Sequence, residues 1–231
     1  MNDWNVEPLG EDALLVRFGD RIDIAVNRQV HRVAAAIEAR RPTWLLDLVP
    51  AYATLALFVD RAAFPAGVDP LREAERWLRQ GFGEGFGLND ADDVAPGRLV
   101  EIPVRYGGDD GPDLEAVALH AGLSIREVVA RHVAAEYRVA MLGFAAGFPY
   151  LLGMDRTLSM PRLETPRVRV AAGSVGIGGA QTGIYPRQGP GGWRIIGRTA
   201  VGLFDPVRTP PTLLAPGDRV RLIATDDMPA P

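Results

Sequence analysis

Apolar residues recur at two different spacings along this chain, and the change of spacing divides it. Val26, Val30, Val33 and Ile37 fall three or four apart, which is the spacing of one helical face. Asp23 precedes that run as an N-cap, and Pro42 closes the unit after it. Leu71, Ala74, Trp77 and Leu78 repeat the pattern behind Asp69-Pro70. Proline suits the first helical turn because no N–H is needed there, and Gly81 is expected to stop this second helix. Short runs at residues 6–9, 13–18, 44–49 and 54–59 read as strands bounded by turn residues. The order ββαββα predicts an α+β domain over residues 1–80, with two helices on one face of an antiparallel sheet.

Residues 81–97, GFGEGFGLNDADDVAPG, are rich in Gly and Asp without period and read as a linker. Beyond it, 98–231, the pattern becomes mainly β. Strands are expected at 101–106, 168–170, 174–177, 182–185, 193–196, 201–204 and 219–223. Two short helices interrupt them. Asp113 caps the first, which Gly122 closes; Ser124 with Glu127 three residues on forms a capping box for the second. Many short strands with Gly/Pro turns predict a barrel.

Composition narrows the chemistry. The 231 residues are 47% apolar, and no run of 18 apolar residues occurs, so no membrane span is expected. The acidic N-terminus, MNDWNVEPLGED, reads as no export signal. With no cysteine in the chain, the expected location is the cytoplasm. All 25 basic residues are Arg, which excludes a P-loop lysine, a Schiff base and a lysine general base. Residues 159–221 hold nine Arg against three acids, a balance suited to an anionic ligand or an acidic partner.

Most familiar motifs fail. The three histidines form no His-x-x-x-His pair, so no metal site is expected. His132 lies on an apolar helix face, where a hydrogen-bonded core histidine is the simpler account and an acid–base role the sharper one. Ser174 in Ala-Gly-Ser-Val-Gly misses the nucleophile elbow by its first glycine. The helix pair from Asp113 onward resembles a helix-turn-helix, but its second helix offers only Arg126 and Arg131 to a phosphate backbone, so no nucleic acid partner is expected.

The stretch 141–186 is different in kind. Thirteen of its 46 residues are Gly or Ala, set around Phe144, Phe148, Tyr150 and Tyr185. Such density marks either tight turns or a surface where backbone meets a ligand between aromatic walls. Gly147-Phe148-Pro149-Tyr150 and Gly179-Ala180-Gln181-Thr182-Gly183-Ile184-Tyr185-Pro186 join aromatics, prolines and glycines in an order that no periodicity explains.

These blocks, with Tyr106-Gly107-Gly108, Thr165-Pro166-Arg167, Gly191-Gly192-Trp193, Ile196-Gly197-Arg198-Thr199 and Pro216-Gly217-Asp218, resemble the KipI / allophanate hydrolase subunit 1 family. The B subunits of ATP-dependent 5-oxoprolinases are among its members. Ala146 departs from the family's usual Pro before Gly-Phe. The resemblance implies a cyclophilin-like barrel in the second domain. It also implies a complex that opens 5-oxoproline to L-glutamate with ATP. The implied partners are a C-type protein, of the allophanate hydrolase subunit 2 kind, and an A-type protein of the LamB/YcsF kind. Alternatives are a regulatory protein that inhibits a sensor histidine kinase, or an accessory of urea or allophanate metabolism. The candidate catalytic residues are His132, Gln181, which offers a donor and an acceptor to a lactam, and Arg198. The candidate substrate-binding residues are Gly147, Phe148, Pro149, Tyr150, Arg167, Gly183 and Tyr185. Arg167 and Arg198 could each clamp a carboxylate or phosphate. The segments of Phe148 and Tyr185 are expected to face each other across one pocket.

Overall fold

The computed structural model describes residues 4–83 and 97–226. Most of the expected linker lies outside the described residues. The chain forms two compact units, Met1–Pro96 and Gly97–Pro231.

In the first unit, strands β1 (Asn5–Pro8), β2 (Ala13–Arg17), β3 (Leu45–Pro50) and β4 (Thr54–Val59) form one antiparallel sheet in the order β1-β2-β4-β3. Helices α1 (Ile24–Ala39) and α2 (Pro70–Phe82) supply the rest of its core. Alternation sends Leu14, Val16, Leu55 and Leu57 into that core, where they meet Val30, Val33 and Ile37 of α1 and Leu78 of α2. Asp23 and Asp69 cap the helices as their sequences demand, each carboxylate accepting two backbone N–H bonds. Helix α2 passes through Gly81, the expected stop, and ends at Gly83 with φ +60°. Burial of Leu78 and Phe82 outweighs the ~1 kcal/mol that an internal glycine costs a helix.

The second unit is a closed seven-stranded barrel with two helices, α3 (Leu114–Ala121) and α4 (Ile125–Ala134), so the whole chain is a mixed α/β protein. The barrel strands are β5 (Leu99–Tyr106), β6 (Glu136–Leu142), β7 (Pro149–Leu152), β9 (Ser174–Gly178), β10 (Gln181–Ile184), β12 (Arg194–Arg198) and β13 (Arg219–Ala224). They close in the order β10-β7-β6-β13-β5-β12-β9, and β13 runs parallel to β5. A separate ribbon pairs β8 (Arg167–Val170) with β11 (Gly189–Gly191). Inward residues such as Ile102, Val139, Leu151, Ile177, Ile184 and Leu222 fill the barrel.

Two expectations are corrected here. Residues 201–204 form no strand; Phe204 makes only an isolated bridge to Thr212. Asp113 stands at the start of α3 but its side chain does not cap it. Its carboxylate instead accepts the Ile195 N–H at 2.6 Å and an Arg167 N–H at 2.8 Å.

Candidate functional site

The alternation that fills the barrel leaves the outer faces of β7, β9 and β10 to be covered. Gly183 of β10 stands between Tyr150 of β7 and Gly176 of β9. Onto this wall pack Phe148, Val170, Tyr185, Trp193 and Ile195, a second and smaller apolar cluster outside the barrel core. Phe148 is its centre. Its ring centroid lies 4.9 Å from Tyr150, 5.2 Å from Tyr185 and 5.5 Å from both Trp193 and Phe144. Most of these pairs meet edge to face, the arrangement that ring quadrupoles favour by about 0.5–1.5 kcal/mol beyond burial.

The glycines make this packing possible. A Cβ on Gly178 would come within 2.6 Å of the Trp193 indole, and one on Gly183 within 3.0 Å of the Phe148 ring. A Cβ on Gly191 would overlap the Tyr185 hydroxyl. The space above Gly183 is therefore filled by Phe148.

The β6–β7 connection is a tight loop. Phe148 N–H donates to the Ala145 carbonyl at 2.9 Å, and Gly143 N–H to the Phe148 carbonyl at 3.1 Å. Phe144 at its tip has φ +65°, the one non-glycine residue with positive φ among the described residues. Its side chain is 66% exposed. A bulky residue in the left-handed region stores strain, and this one holds an aromatic ring over the cluster.

Beneath Phe144 is a cavity of about 80 Å³. Phe148, Tyr150, Tyr185 and Trp193 wall it, the Gly191-Gly192 backbone forms one side, and Arg162 is the charged residue in its lining. The Arg162 guanidinium lies 5.8 Å from the Trp193 ring centroid. Burial raises the pKa of both Tyr150 and Tyr185, against the opposing charge of Arg162. Both phenols thus stay protonated near neutral pH and remain hydrogen-bond donors.

Of the residues singled out from sequence, Phe148, Tyr150 and Tyr185 come together in this cavity. The Phe148 and Tyr185 segments do not face each other across a pocket as expected: β7 and β10 are neighbouring paired strands, and the Phe148 and Tyr185 rings touch edge to face with centroids 5.2 Å apart. Pro149 and Gly183 lie in the wall behind, with the Pro149 carbonyl close to Gly183. Gly147, at φ +77°, turns the chain into β7 against Phe204. Gln181 sits at the far end of β10, paired with Gly178, about 13 Å along the strand from Tyr185 at ordinary strand rise.

His132 and Arg198 lie elsewhere, while Arg167 stands just behind the cavity wall, in register with Gly191 and 3.5 Å from the Trp193 carbonyl, with its charge reaching Tyr185. His132 is fully buried in the barrel unit. Its Nε2 lies 3.0 Å from Thr182 Oγ1 and its Nδ1 2.8 Å from the Tyr106 hydroxyl. Thr182 Oγ1 already donates to the Gly176 carbonyl, so Nε2 carries the proton and Nδ1 accepts from Tyr106. Burial lowers the His132 pKa to about 3, which leaves a neutral ring and no charge change near pH 7. Arg167 ties β8 to Asp113, and through it to β12. Arg198 donates to the Ala172 carbonyl at 3.0 Å and shares Asp110 with Arg105. Both guanidiniums are engaged in holding elements together.

Sequence reasoning missed Arg162 as a site residue and passed over the role of Trp193. Arg162 follows Pro161 in an irregular segment, so no period could mark it. Among the described residues no group of His, Cys, Asp and Glu is placed to hold a metal ion, and no helix is long and apolar enough to cross a membrane.

The same chain pattern recurs in known proteins. The chain is 43% identical over 226 residues to the B subunit of 5-oxoprolinase from Bacillus subtilis (strain 168), covering 95% of this chain and 92% of that protein. It is 39% identical to the B subunit of 5-oxoprolinase from Escherichia coli O157:H7, covering 93% of each. Among solved structures, that of TTHA0988 superposes with a TM-score of 0.77 at 40% identity. That match covers 95% of this chain but only 41% of TTHA0988. The family model for the carboxyltransferase domain, subdomain C and D, matches residues 4–214. With a match over nearly its whole length, the chain belongs to the carboxyltransferase subdomain C and D family.

Proposed function

We propose that this chain is the B-type subunit of an ATP-dependent 5-oxoprolinase, and that its aromatic cavity seats the five-membered lactam ring. The observation that carries the reading is likeness over nearly the full length to proteins named as B subunits of 5-oxoprolinase. The cavity supports it. Flat rings from Phe148, Tyr185 and Trp193 suit a small ring, and two phenol donors suit its carbonyl oxygen.

A lactam is a stable amide, and opening it near neutral pH needs activation of its carbonyl. Phosphorylation of the carbonyl oxygen is one route, and such a step needs charge stabilisation more than a protein nucleophile. Among the described residues, the lining of the cavity holds one cation, two neutral phenols and no carboxylate or histidine. This chain's share is therefore recognition and orientation. The nucleotide and the activating groups belong to a site completed by partner proteins, one of the C type (allophanate hydrolase subunit 2 kind) and one of the A type. In this reading the second unit is a cyclophilin-like domain that presents its cavity to those partners.

The test is reconstitution. The chain alone, and the chain co-purified with candidate partner proteins, are assayed for glutamate released from 5-oxoproline with and without ATP. Release that requires both ATP and this chain is expected. Steady turnover by this chain alone, or full activity without it, would overturn the reading.

A further inference from the structure

Arg162 is the part of the cavity that packing does not account for. Other arginines of the same unit have carboxylate partners: Arg131 with Asp155, Arg167 with Asp113, Arg219 with Glu136 and Arg221 with Glu101. Arg162 has no ion pair or hydrogen bond among the described residues. Its guanidinium lies over the Trp193 ring, 5.8 Å from the ring centroid. It is also the charged residue in the cavity lining. Its field reaches the hydroxyls of both Tyr150 and Tyr185. Stacking on an indole orients a guanidinium while leaving its N–H groups for another acceptor. Two neutral phenol donors in the same lining add no competing negative charge.

We infer that Arg162 is the carboxylate anchor of the cavity and makes this chain select small ring acids over neutral rings of the same shape. The inference rests on the reading of the cavity as the seat of the lactam. The aromatic walls would hold the ring, and the guanidinium would pair with the carboxylate beside it. A planar fork matches both carboxylate oxygens, which an ammonium cannot do. Phe144, exposed in the same lining, would add an apolar contact to the ring.

The test uses the full chain labelled with ¹⁵N, read at the Trp193 indole N–H resonance. It is titrated with 5-oxoproline, with cyclopentanecarboxylate, and with 2-pyrrolidinone, the lactam without its carboxylate. Both acids are expected to move the resonance, and 2-pyrrolidinone to bind about tenfold more weakly or worse, the usual effect of losing a hydrogen bond to a charged group. Arg162→Gln should weaken both acids by a similar factor and leave 2-pyrrolidinone unchanged, with Arg162→Lys in between. Acids that fail to move the resonance, or that bind Arg162→Gln as well as the natural chain, overturn the anchor. The reconstituted complex separates the two ideas. Glutamate release by an Arg162→Gln complex with unchanged KM would sink the anchor and spare the 5-oxoprolinase reading. Arg162-dependent acid binding without glutamate release by the natural complex would do the reverse.

Discussion

Lowering the pH should destabilise the barrel unit through one residue, His132. Folding buries its imidazole completely and lowers its pKa from 6.5 to about 3. The neutral ring is the form that the Tyr106 and Thr182 hydrogen bonds accept. Its contribution is therefore complete above pH 6.5 and is lost as the pH falls from there towards about 3. Proton linkage puts the loss between pH 7 and pH 5 at about 2 kcal/mol, and over the whole window at ~5 kcal/mol. The two tyrosines beside it, Tyr106 and Tyr137, have pKa values raised by burial and do not titrate there. Asp155 and Glu127 have pKa values lowered by hydrogen bonds from ordinary values of 3.8 and 4.5, so the stability they contribute is lost mostly below pH 5, outside the interval the assay compares. The assay is urea unfolding of the full chain at pH 7 and pH 5, followed at the Trp193 indole resonance. His132→Gln keeps a polar side chain in the slot but removes the titration. It should be less stable than the natural chain at pH 7, yet lose much less on going to pH 5. Equal losses in the two proteins would refute the argument. A pH-dependent kcat that vanished in His132→Gln without any stability difference would restore His132 as an acid–base catalyst.

Three further outcomes follow from the packing. Arg167→Ala leaves the nearly buried Asp113 carboxylate without its cation, so thermal melting should fall by several degrees, on the order of the 1–3 kcal/mol of a broken partly buried pair; unchanged melting with lost affinity would make Arg167 a ligand contact instead. Gly178→Val drives side-chain carbons into the Trp193 indole and should cost about 1–3 kcal/mol, seen as a lower urea midpoint together with a shifted Trp193 resonance. Phe144→Gly releases the backbone from an unfavourable φ but loosens the unfolded chain, so stability should stay within about 1 kcal/mol, while 5-oxoproline binding to the full chain weakens; a large drop in melting temperature would mean that Phe144 is held for packing alone.

The local architecture was legible wherever short-range chemistry decides it. Asp23, Asp69 and the Ser124/Glu127 box start helices just where their side chains can cap them. The short apolar runs of β2 and β4, bounded by turn residues, were equally plain. What stayed hidden was set by distant partners. Strands β7 and β11 are four and three residues long and carry Pro or Gly; pairing with β6, β10 and β8 makes them strands, not their own preference. Asp113 has the look of a cap, yet Ile195 and Arg167, far along the chain, claim its oxygens. The glycine density of 141–186 was visible, but its meaning was ambiguous between a ligand surface and a packing surface. The structure makes Gly178 and Gly183 the second kind. Phe148, Tyr150 and Tyr185 were legible as walls because aromatics amid glycines have few other uses, whereas Arg162 joins them only through tertiary folding.

The parallel pairing of β5 with β13 also governs how the second unit comes into being. Residues 120 apart, such as Glu101 and Arg221, lie side by side in that ladder. A ribosome adding about 5–20 residues per second needs roughly 6–24 s to make that intervening stretch. Until β13 emerges, β5 has an open edge and the barrel has no closure, while the first unit, with all its strands already made, is free to fold. The nascent barrel thus spends that interval with Ile102, Val104 and their neighbours unsealed, a template for pairing with other chains. Truncation just before residue 219 should accordingly give an aggregating product, not a slightly shortened barrel.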